Sequence, residues 1–511
     1  SPSDRSKPAA DADFLQLDLR QARPGGLSGY LAEQLRRAIA DGRLPIGGRL
    51  PPGRMLAEEL RVSRGVVTEA YQRLIEDGQL AGRGRAGTFV VAAPVTVPSA
   101  PPRARDEDQD ASPAAGGAVP AAPRDTPVAA PLTDFGAAPG PEVFDALRAS
   151  RAGIDLTPGV PDLAAFPRSG WLRAERRVLD GLSPAEFGYG DPRGAQPFRR
   201  AVAHWLARNR GLRVEPDEVI VVTGVAQALG LVADILRDAG LDAIALEDPG
   251  SLGVRQHLRH QGLETPPIAV DDAGLRVDEL RDSGARAVAL TPAHQFPTGV
   301  VLHGERRREL VNWANEAGGL ILEDDYDAEH RYDRPPVPAL HGMLPERVCY
   351  AGSVSKILAP ALRVGWLLVP PRHREAAVVA KRYADLGNAV LPQLVLAELM
   401  ESGELERHLR MLRRRHCRRR DAMIAALREH LPAARVHGAA AGLHLMVTFD
   451  AAFADTDLAA AALARGVKTQ PLSWHRQRPG RPGLVLGYAA ATPTDAARGV
   501  ELLAAAWREV R

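Results

Sequence analysis

Residues 92–131, AAPVTVPSAPPRARDEDQDASPAAGGAVPAAPRDTPVAAP, hold nine prolines and twelve alanines, with no aromatic residue and hardly any large aliphatic one. A segment of this kind cannot bury enough apolar surface to offset its chain entropy. A structureless loop that long inside one compact domain is uncommon, so a decorated surface loop is the weaker alternative. The stretch reads as a semi-extended linker over 92–132. It divides the chain into a polar tail (1–13), a small unit (14–91) and a large unit (133–511).

The small unit has the pattern of three helices and a hairpin. GYLAEQLRRAIAD (29–41) places Tyr30, Leu31, Leu35, Ala38 and Ile39 on one face and stops at Gly42. PGRMLAEEL (52–60) predicts a short second helix with proline near its start. Ser63 is a good N-cap for a third, RGVVTEAYQRLIED, which ends at Gly78. QLAGR and TFVVA then form two strands joined through Gly84, Arg85 and Gly87. That order is a winged helix-turn-helix, whose third helix enters the major groove by its first turn. Ser63 and Arg64 sit there, where a guanidinium reaches a base edge or phosphate. Arg54 is placed for backbone phosphate, and Arg83 and Arg85 at the wing tip for the minor groove. Twelve Arg against eight Asp+Glu in 14–91 make this the basic end of a chain whose formal net charge is only +2. The bland alternative is a helical oligomerisation module with solvated arginines.

The large unit alternates apolar strand-like runs with helical stretches: VIVVTG (219–224), AIALEDPG (243–250), AVALTP (287–292), LILEDDYD (320–327), VCYAGSVSK (348–356) and RVGWLLVP (363–370). Nearly continuous apolar strands imply a mostly parallel sheet covered on both faces, an α/β fold. Ligands of such sheets collect at the carboxyl ends of the strands. Those ends carry Thr223-Gly224, Asp324/Tyr326 and Ser353/Ser355/Lys356.

Only four of the 65 basic residues are lysines: Lys7, Lys356, Lys381 and Lys468. Arginine cannot supply a deprotonatable amine, so lysine chemistry has few candidates. Lys356, behind a strand in GSVSK, is where burial would lower the amine's pKa and favour a Schiff base. Ser353, Ser355, Arg363 and the amides after Gly224 suit a phosphate dianion. Asp324 suits a protonated pyridine nitrogen and Tyr326 a ring hydroxyl, and together they describe a pyridoxal 5'-phosphate pocket. Taken singly, a lysine is usually a solvated charge and EDDYDAE an acidic loop. No G-x-x-x-x-G-K-[ST] phosphate loop occurs.

No run approaches the roughly 18 apolar residues of a membrane helix, and SPSDRSKPAADAD lacks the apolar core of a secretory signal. Cys349 and Cys417 cannot build a disulfide framework and offer no metal spacing, and no H-E-x-x-H occurs among the histidines. A reducing, cytoplasmic setting with no metal and no membrane contact is expected.

RLPIGGRLPPGRMLAEELRVSRGVVTEAYQRLIEDGQLAGRGRAGTFV closely resembles the GntR family of bacterial regulators. FGYGDPRGAQPFRRAV, VVTGVAQAL, TPAHQFPTG, EDDYDAEHRY and GSVSKILAPALRVGW resemble fold-type I aminotransferases in family order, and the whole resembles the MocR subgroup of GntR regulators. The resemblance implies a large domain with a small α+β C-terminal subdomain and a homodimer in which DNA-binding domains are swapped between protomers. It implies that Lys356 forms the internal aldimine, that Asp324 pairs the pyridine nitrogen and that Tyr326 bonds the ring O3'. Ser353, Ser355 and Arg363 would bind phosphate with the backbone near Val225 and Ala226. Tyr189 would reach the phosphate of a partner subunit, and His294 would lie beside the pocket, in contact with cofactor or in a structural hydrogen bond.

Three departures stand out. Pro52-Gly53 occupies a position where such proteins commonly carry Ser or Thr. Ser251 replaces the aromatic residue of the common EDPGY, and Val485 stands where an arginine often grips a substrate carboxylate. RHLRMLRRRHCRRR (407–420) reads as a solvated basic helix, with DNA contact between half-sites as the alternative. The expected function is a transcriptional regulator that binds operator DNA and senses pyridoxal phosphate itself, or an amine or amino acid, through its aminotransferase-like domain. The alternatives are a working aminotransferase carrying a DNA-binding appendage, and a regulator whose large domain is only a dimerisation scaffold.

Overall fold

The structure is a computed structural model that describes residues 27–40, 43–44, 47–76, 79–82, 87–91, 131–132, 134–136, 138–332 and 338–511. The tail (1–13), nearly all of the linker, Gly42, Gly78, Arg83 and Arg85 lie outside the described residues. The chain divides into two compact units, Ser1–Pro131 and Leu132–Arg511.

In the first unit, helices α1 (Leu27–Ala40), α2 (Gly53–Glu59) and α3 (Arg64–Glu76) precede strands β1 (Leu80–Gly82) and β2 (Thr88–Val90). Their apolar positions recur at helical spacing and close one core: Leu31, Leu35 and Ala38 from α1, Val67, Ala70 and Leu74 from α3, and Leu80 and Val90 from the hairpin. The strands pair antiparallel with Leu80 opposite Val90. Tyr71 anchors α3 by donating to the Pro51 carbonyl at 2.8 Å. Ser63 caps α3, its Oγ accepting from the Val66 amide at 3.4 Å.

The second unit opens with α4 (Val143–Ala149), β3 (Ile154–Asp155), α5 (Arg168–Gly181) and α6 (Gln196–Arg210). There follow β4 (Ile220–Val222), α7 (Val225–Asp238), β5 (Ala245–Asp248), α8 (Leu252–His260), β6 (Pro267–Asp271), β7 (Gly274–Leu275) and α9 (Val277–Asp282). Next come β8 (Ala287–Leu290), α10 (Gly304–Glu316), β9 (Leu320–Asp325), β10 (Val348–Ser353), β11 (Gly365–Leu368), α11 (Pro371–Asp385) and α12 (Val390–Glu401). The C-terminal part adds α13 (Glu404–His430), β12 (Ala434–His437), β13 (His444–Phe449), α14 (Asp455–Ala464), β14 (Val467–Lys468), β15 (Gln470–Pro471), β16 (Gly483–Gly487) and α15 (Pro493–Val510).

Eight strands form one sheet in the order β4-β11-β10-β9-β8-β5-β6-β7. From β10 through β6 the neighbours are parallel, whereas β11 runs antiparallel to both β10 and β4 and β7 antiparallel to β6. Alternate residues feed opposite layers. Val221 joins the core with Phe198 and Trp205 of α6, while Ile220 and Val222 join the core with Val232 and Leu236 of α7. A second sheet, β12-β13-β16-β15, packs with α13, α14 and α15 around Leu445, Val447, Leu484, Leu503 and Tyr488. Among the described residues no helix is long and apolar enough to cross a membrane.

The expectation of a solvated α13 needs correction, because only one of its faces meets solvent. Its inner face buries His408, Leu409, Leu412, Arg415, His416, Arg419 and Met423. Arg415 and Arg419 pair with buried Asp162 at 2.9 and 3.0 Å. The partner is remote in sequence, so the charge run alone concealed it.

Candidate functional site

The sheet topology gathers the chemistry on one edge. β4, β9 and β10 run the same way, so Gly224, Asp324 and Ser353 stand at or beyond the same ends. Because β11 is antiparallel, its beginning, Arg363–Gly365, falls at that edge too. The strands crowd there: a Cβ on Gly365 would stand 2.7 Å from the Gly352 carbonyl, 3.1 Å from Ser353 Cβ and 3.2 Å from Gly224 Cα. Only a glycine fits.

Gly224, with φ +91°, turns the chain from β4 into α7, so the first amides of a 14-residue helix end at this edge. A Cβ on Gly224 would lie 3.4 Å from an Arg363 Nη, which puts the exposed guanidinium over the helix N-terminus. Ser353 is buried beside them, and its Oγ accepts from the Ser355 amide at 3.4 Å. Free amides, a helix N-terminus and a guanidinium make an anion cradle. The turn is held from behind: Gln227 Oε1 accepts from the Thr223 amide at 2.9 Å, and its Nε2 donates to Asp385 at 2.7 Å. Asp385 in turn receives Lys381 Nζ at 2.6 Å, so Lys381 is a buried structural lysine.

Lys356 follows β10, and its Nζ donates to the Gly159 carbonyl at 2.5 Å. Burial pushes its ammonium below the ordinary lysine range, while Asp324 and Asp327 pull it back. Gly159 has φ +82°, and a Cβ there would sit 3.1 Å from Nζ, a contact that the sequence reading did not foresee.

Asp324 is raised from 3.8 to about 7, by burial first and then by Asp325 and Asp327, with Lys356 opposing. Its Oδ1 is buried with no hydrogen-bond partner among the described residues. A lone carboxylate oxygen in that position calls for a donor from a bound molecule.

Tyr326 stands two residues on, and burial first, then Asp327, pushes its phenol well above the ordinary range. His294 Nδ1 lies 3.0 Å from the Tyr326 hydroxyl and 2.8 Å from Asp327 Oδ2. A carboxylate only accepts, so Nδ1 carries the proton and Asp327 receives it. His294 is thus bonded to Asp327, with its ring close beside the Tyr326 hydroxyl. Phe296 lies edge-on to the Tyr326 ring at 6.2 Å, with His444 and His475 beside it at 4.9 and 5.0 Å. Burial lowers both imidazoles to about 3, so this wall is uncharged.

The departures have structural uses. Ser251 caps α8, its Oγ accepting from the Val254 amide at 3.3 Å. Val485 is buried on β16 with Met446 and Leu472, against Phe296. Tyr189 is 94% exposed. Val225 and Ala226 open α7 at the anion cradle. Among the described residues no group of three or more His, Cys, Asp or Glu side chains could hold a metal ion. In the first unit Arg54, Ser63 and Arg64 are all exposed, the last two at the start of α3.

Comparison with known proteins matches residues 152–491 to the aminotransferase class I and II family and residues 27–90 to the bacterial regulatory proteins of the gntR family. The chain is 32% identical over 482 residues to the probable rhizopine catabolism regulatory protein MocR of Rhizobium meliloti, covering 93% of each chain. It is 31% identical to the HTH-type pyridoxine biosynthesis transcriptional regulator PdxR of Corynebacterium glutamicum, over 93% of this chain and 95% of the other. The alpha-aminoadipate aminotransferase LysN of Thermus thermophilus, solved with N-(5'-phosphopyridoxyl)-L-leucine, superimposes with a TM-score of 0.64 at 28% identity, covering 71% of this chain and 93% of that one. A helix-turn-helix of the gntR type joined to an aminotransferase fold, matched along nearly the whole chain, places this protein in the MocR subgroup of GntR-family regulators.

Proposed function

We propose that this protein is a cytoplasmic, DNA-binding transcriptional regulator whose large unit binds pyridoxal 5'-phosphate and uses that site to sense the cofactor itself, or an amine or amino acid. The observation that carries the reading is the partnerless Oδ1 of Asp324, set on the same sheet edge as the Lys356 amine and the Gly224–Arg363 cradle. The donor set fits the cofactor. Asp324 would hold the pyridine nitrogen, Tyr326 the ring hydroxyl, and Arg363, Ser353, Ser355 and the amides of Val225 and Ala226 the phosphate. When bound, the cofactor supplies an electrophilic carbonyl for a lysine or substrate amine. Lys356 is suited to meet it, since burial favours its neutral, nucleophilic form.

The wall beyond Tyr326 is apolar or neutral, with Val485, Phe296 and two neutral imidazoles. That composition favours a ligand recognised mainly through the cofactor over one gripped by its carboxylate. Ligand binding shifts operator affinity only as far as it discriminates between two states of the protein.

A second copy of the chain completes the assembly. Phe187, Tyr189, Tyr383 and Leu386 are 58%, 94%, 85% and 58% exposed, an apolar set that a protomer would cover. A Cβ on Gly387 would lie 3.5 Å from Pro192 Cα, so the segment after Tyr189 adjoins Leu386. In the first unit Ser63, Arg64 and Arg54 face solvent for DNA, and Arg83 and Arg85, which lie outside the described residues, are proposed from the sequence to add contacts. The test is binding of the full chain to the upstream region of its own gene against random duplex. A salt-sensitive preference for its own region supports the reading, and equal affinity refutes it. The lowered ammonium of Lys356 also suits a working aminotransferase, which sustained amino-group transfer to a 2-oxoacid would reveal.

A further inference from the structure

Lys356 lies three residues beyond Ser353, the last residue of β10, and the ladders of that strand stop short of the Lys356 and Ile357 carbonyls. A backbone oxygen in a buried turn needs a donor from elsewhere. Two histidines supply it, one to each carbonyl. His330 Nε2 lies 3.2 Å from the Lys356 carbonyl oxygen, and His408 Nε2 lies 3.1 Å from that of Ile357. Both rings are buried, and burial lowers each to about 4, so each is a neutral imidazole with one N–H. A carbonyl only accepts, which puts that proton on Nε2 in both.

The two donors are themselves held. The His330 amide donates to the Asp327 carbonyl at 2.9 Å, and the His330 carbonyl accepts from the Gly442 amide at 2.8 Å. Its ring packs against His416 of α13, with centroids 5.0 Å apart and planes tilted by 58°. His408 and His416 share the buried face of α13 with Arg415 and Arg419. Those two arginines grip Asp162, three residues from Gly159, whose carbonyl receives Lys356 Nζ. One face of α13 thus braces the lysine at its backbone and at the segment that receives its amine.

We propose that His330, with His408 beside it, is a positioning residue for Lys356: the two imidazole donors fix the backbone from which the amine reaches the cofactor's carbonyl. The proposal deepens the cofactor reading of this site and rests on it. A lysine amine hangs on a flexible four-carbon stem. With its carbonyl pinned, the stem starts from a fixed point and Nζ samples fewer positions away from its Gly159 acceptor. Reacting groups need to be held to about 0.5 Å, and a misplacement of about 1 Å costs on the order of 100-fold. The anion cradle is braced separately, through Gln227 and Asp385, so loss of the His330 donor falls on the lysine rather than on the phosphate.

The test titrates the full-length, cofactor-stripped protein with two probes, pyridoxal 5'-phosphate and pyridoxine 5'-phosphate. The second carries a hydroxymethyl group in place of the carbonyl, so it uses the cradle and Asp324 but forms no bond with Lys356. His330→Phe keeps a ring and removes the donor. It should weaken pyridoxal phosphate binding about 5- to 100-fold and slow the appearance of the visible band, while pyridoxine 5'-phosphate binding stays within about twofold. His330→Gln, which returns an N–H at similar reach, should restore most of the loss. In a Lys356→Ala background His330→Phe should no longer alter pyridoxal phosphate binding. His408→Phe should show the same selective loss, and it serves if His330→Phe fails to fold. Equal weakening of both probes overturns the proposal, as does unchanged binding or a loss that persists without Lys356, and each of these leaves the cofactor reading standing. A wild type that binds neither probe would overturn that reading and the proposal with it.

Discussion

Asp324→Asn should act in opposite directions on the empty protein and on cofactor binding. In the empty protein the carboxylate is buried, has a partnerless oxygen and is raised from 3.8 to about 7. The native state therefore keeps its proton to a higher pH than the unfolded chain does. The contribution of this group to stability is fullest below about pH 4 and is lost as pH rises through about 7. At about 1.36 kcal/mol per tenfold change in proton affinity, the cost of ionising this site at pH 8 is on the order of 2–4 kcal/mol. The asparagine variant escapes that cost. Its cofactor-free form should be more stable than wild type at pH 8, with a gap that shrinks at least twofold towards pH 5. The measurement is urea unfolding of cofactor-stripped protein, following the transition of the large unit. Cofactor binding should weaken at the same time, because a charge-assisted hydrogen bond worth about 1.5–3 kcal/mol is lost, about 10- to 150-fold in affinity. A variant destabilised equally at both pH values, or one that binds pyridoxal phosphate as tightly as wild type, would refute the reasoning.

Gly224→Ala forces a side chain into φ +91° beside the Arg363 guanidinium, so titration should show weaker pyridoxal phosphate binding alongside about 1–2 kcal/mol of lost stability. Arg210→Ala leaves Asp325, 2% exposed and 2.5 Å from the guanidinium, beside Glu323 and Glu329, which burial has already raised to about 7. Breaking such a buried pair should cost about 3–5 kcal/mol in denaturant unfolding, with partial recovery at lower pH as the carboxyls take up protons. Ser63→Ala removes the cap of α3 and should cost about 1 kcal/mol in the first unit. Arg64→Ala should lower DNA affinity in fluorescence anisotropy without that loss of stability.

What the sequence revealed follows from locality. The winged unit was legible because Val67, Ala70 and Leu74 repeat at helical spacing and Ser63 stands where a cap must. The cofactor residues were legible because parallel strands end at one edge, so Asp324, Ser353 and Lys356 could be placed from the strand runs alone. What stayed hidden depends on partners far along the chain. Lys356 bonds a carbonyl 197 residues away, and the Thr223 turn is braced through Gln227 by Asp385 and Lys381. The inward arginines of α13 depend on Asp162, so a run that reads as uniformly solvated is divided between core and surface. Ser251 looked like a missing aromatic ring, and its use as a helix cap needed the α8 boundary.

The central claim is that the lysine site and the DNA-binding unit are coupled. The direct measurement is the affinity of the full chain for the upstream region of its own gene, with and without pyridoxal phosphate, for wild type and Lys356→Ala, with the visible spectrum recorded on the same samples. Coupling predicts a cofactor band in wild type that is lost in Lys356→Ala, and a DNA affinity that changes on cofactor addition only where the band forms. A band that forms while DNA affinity stays the same in all four samples would contradict it.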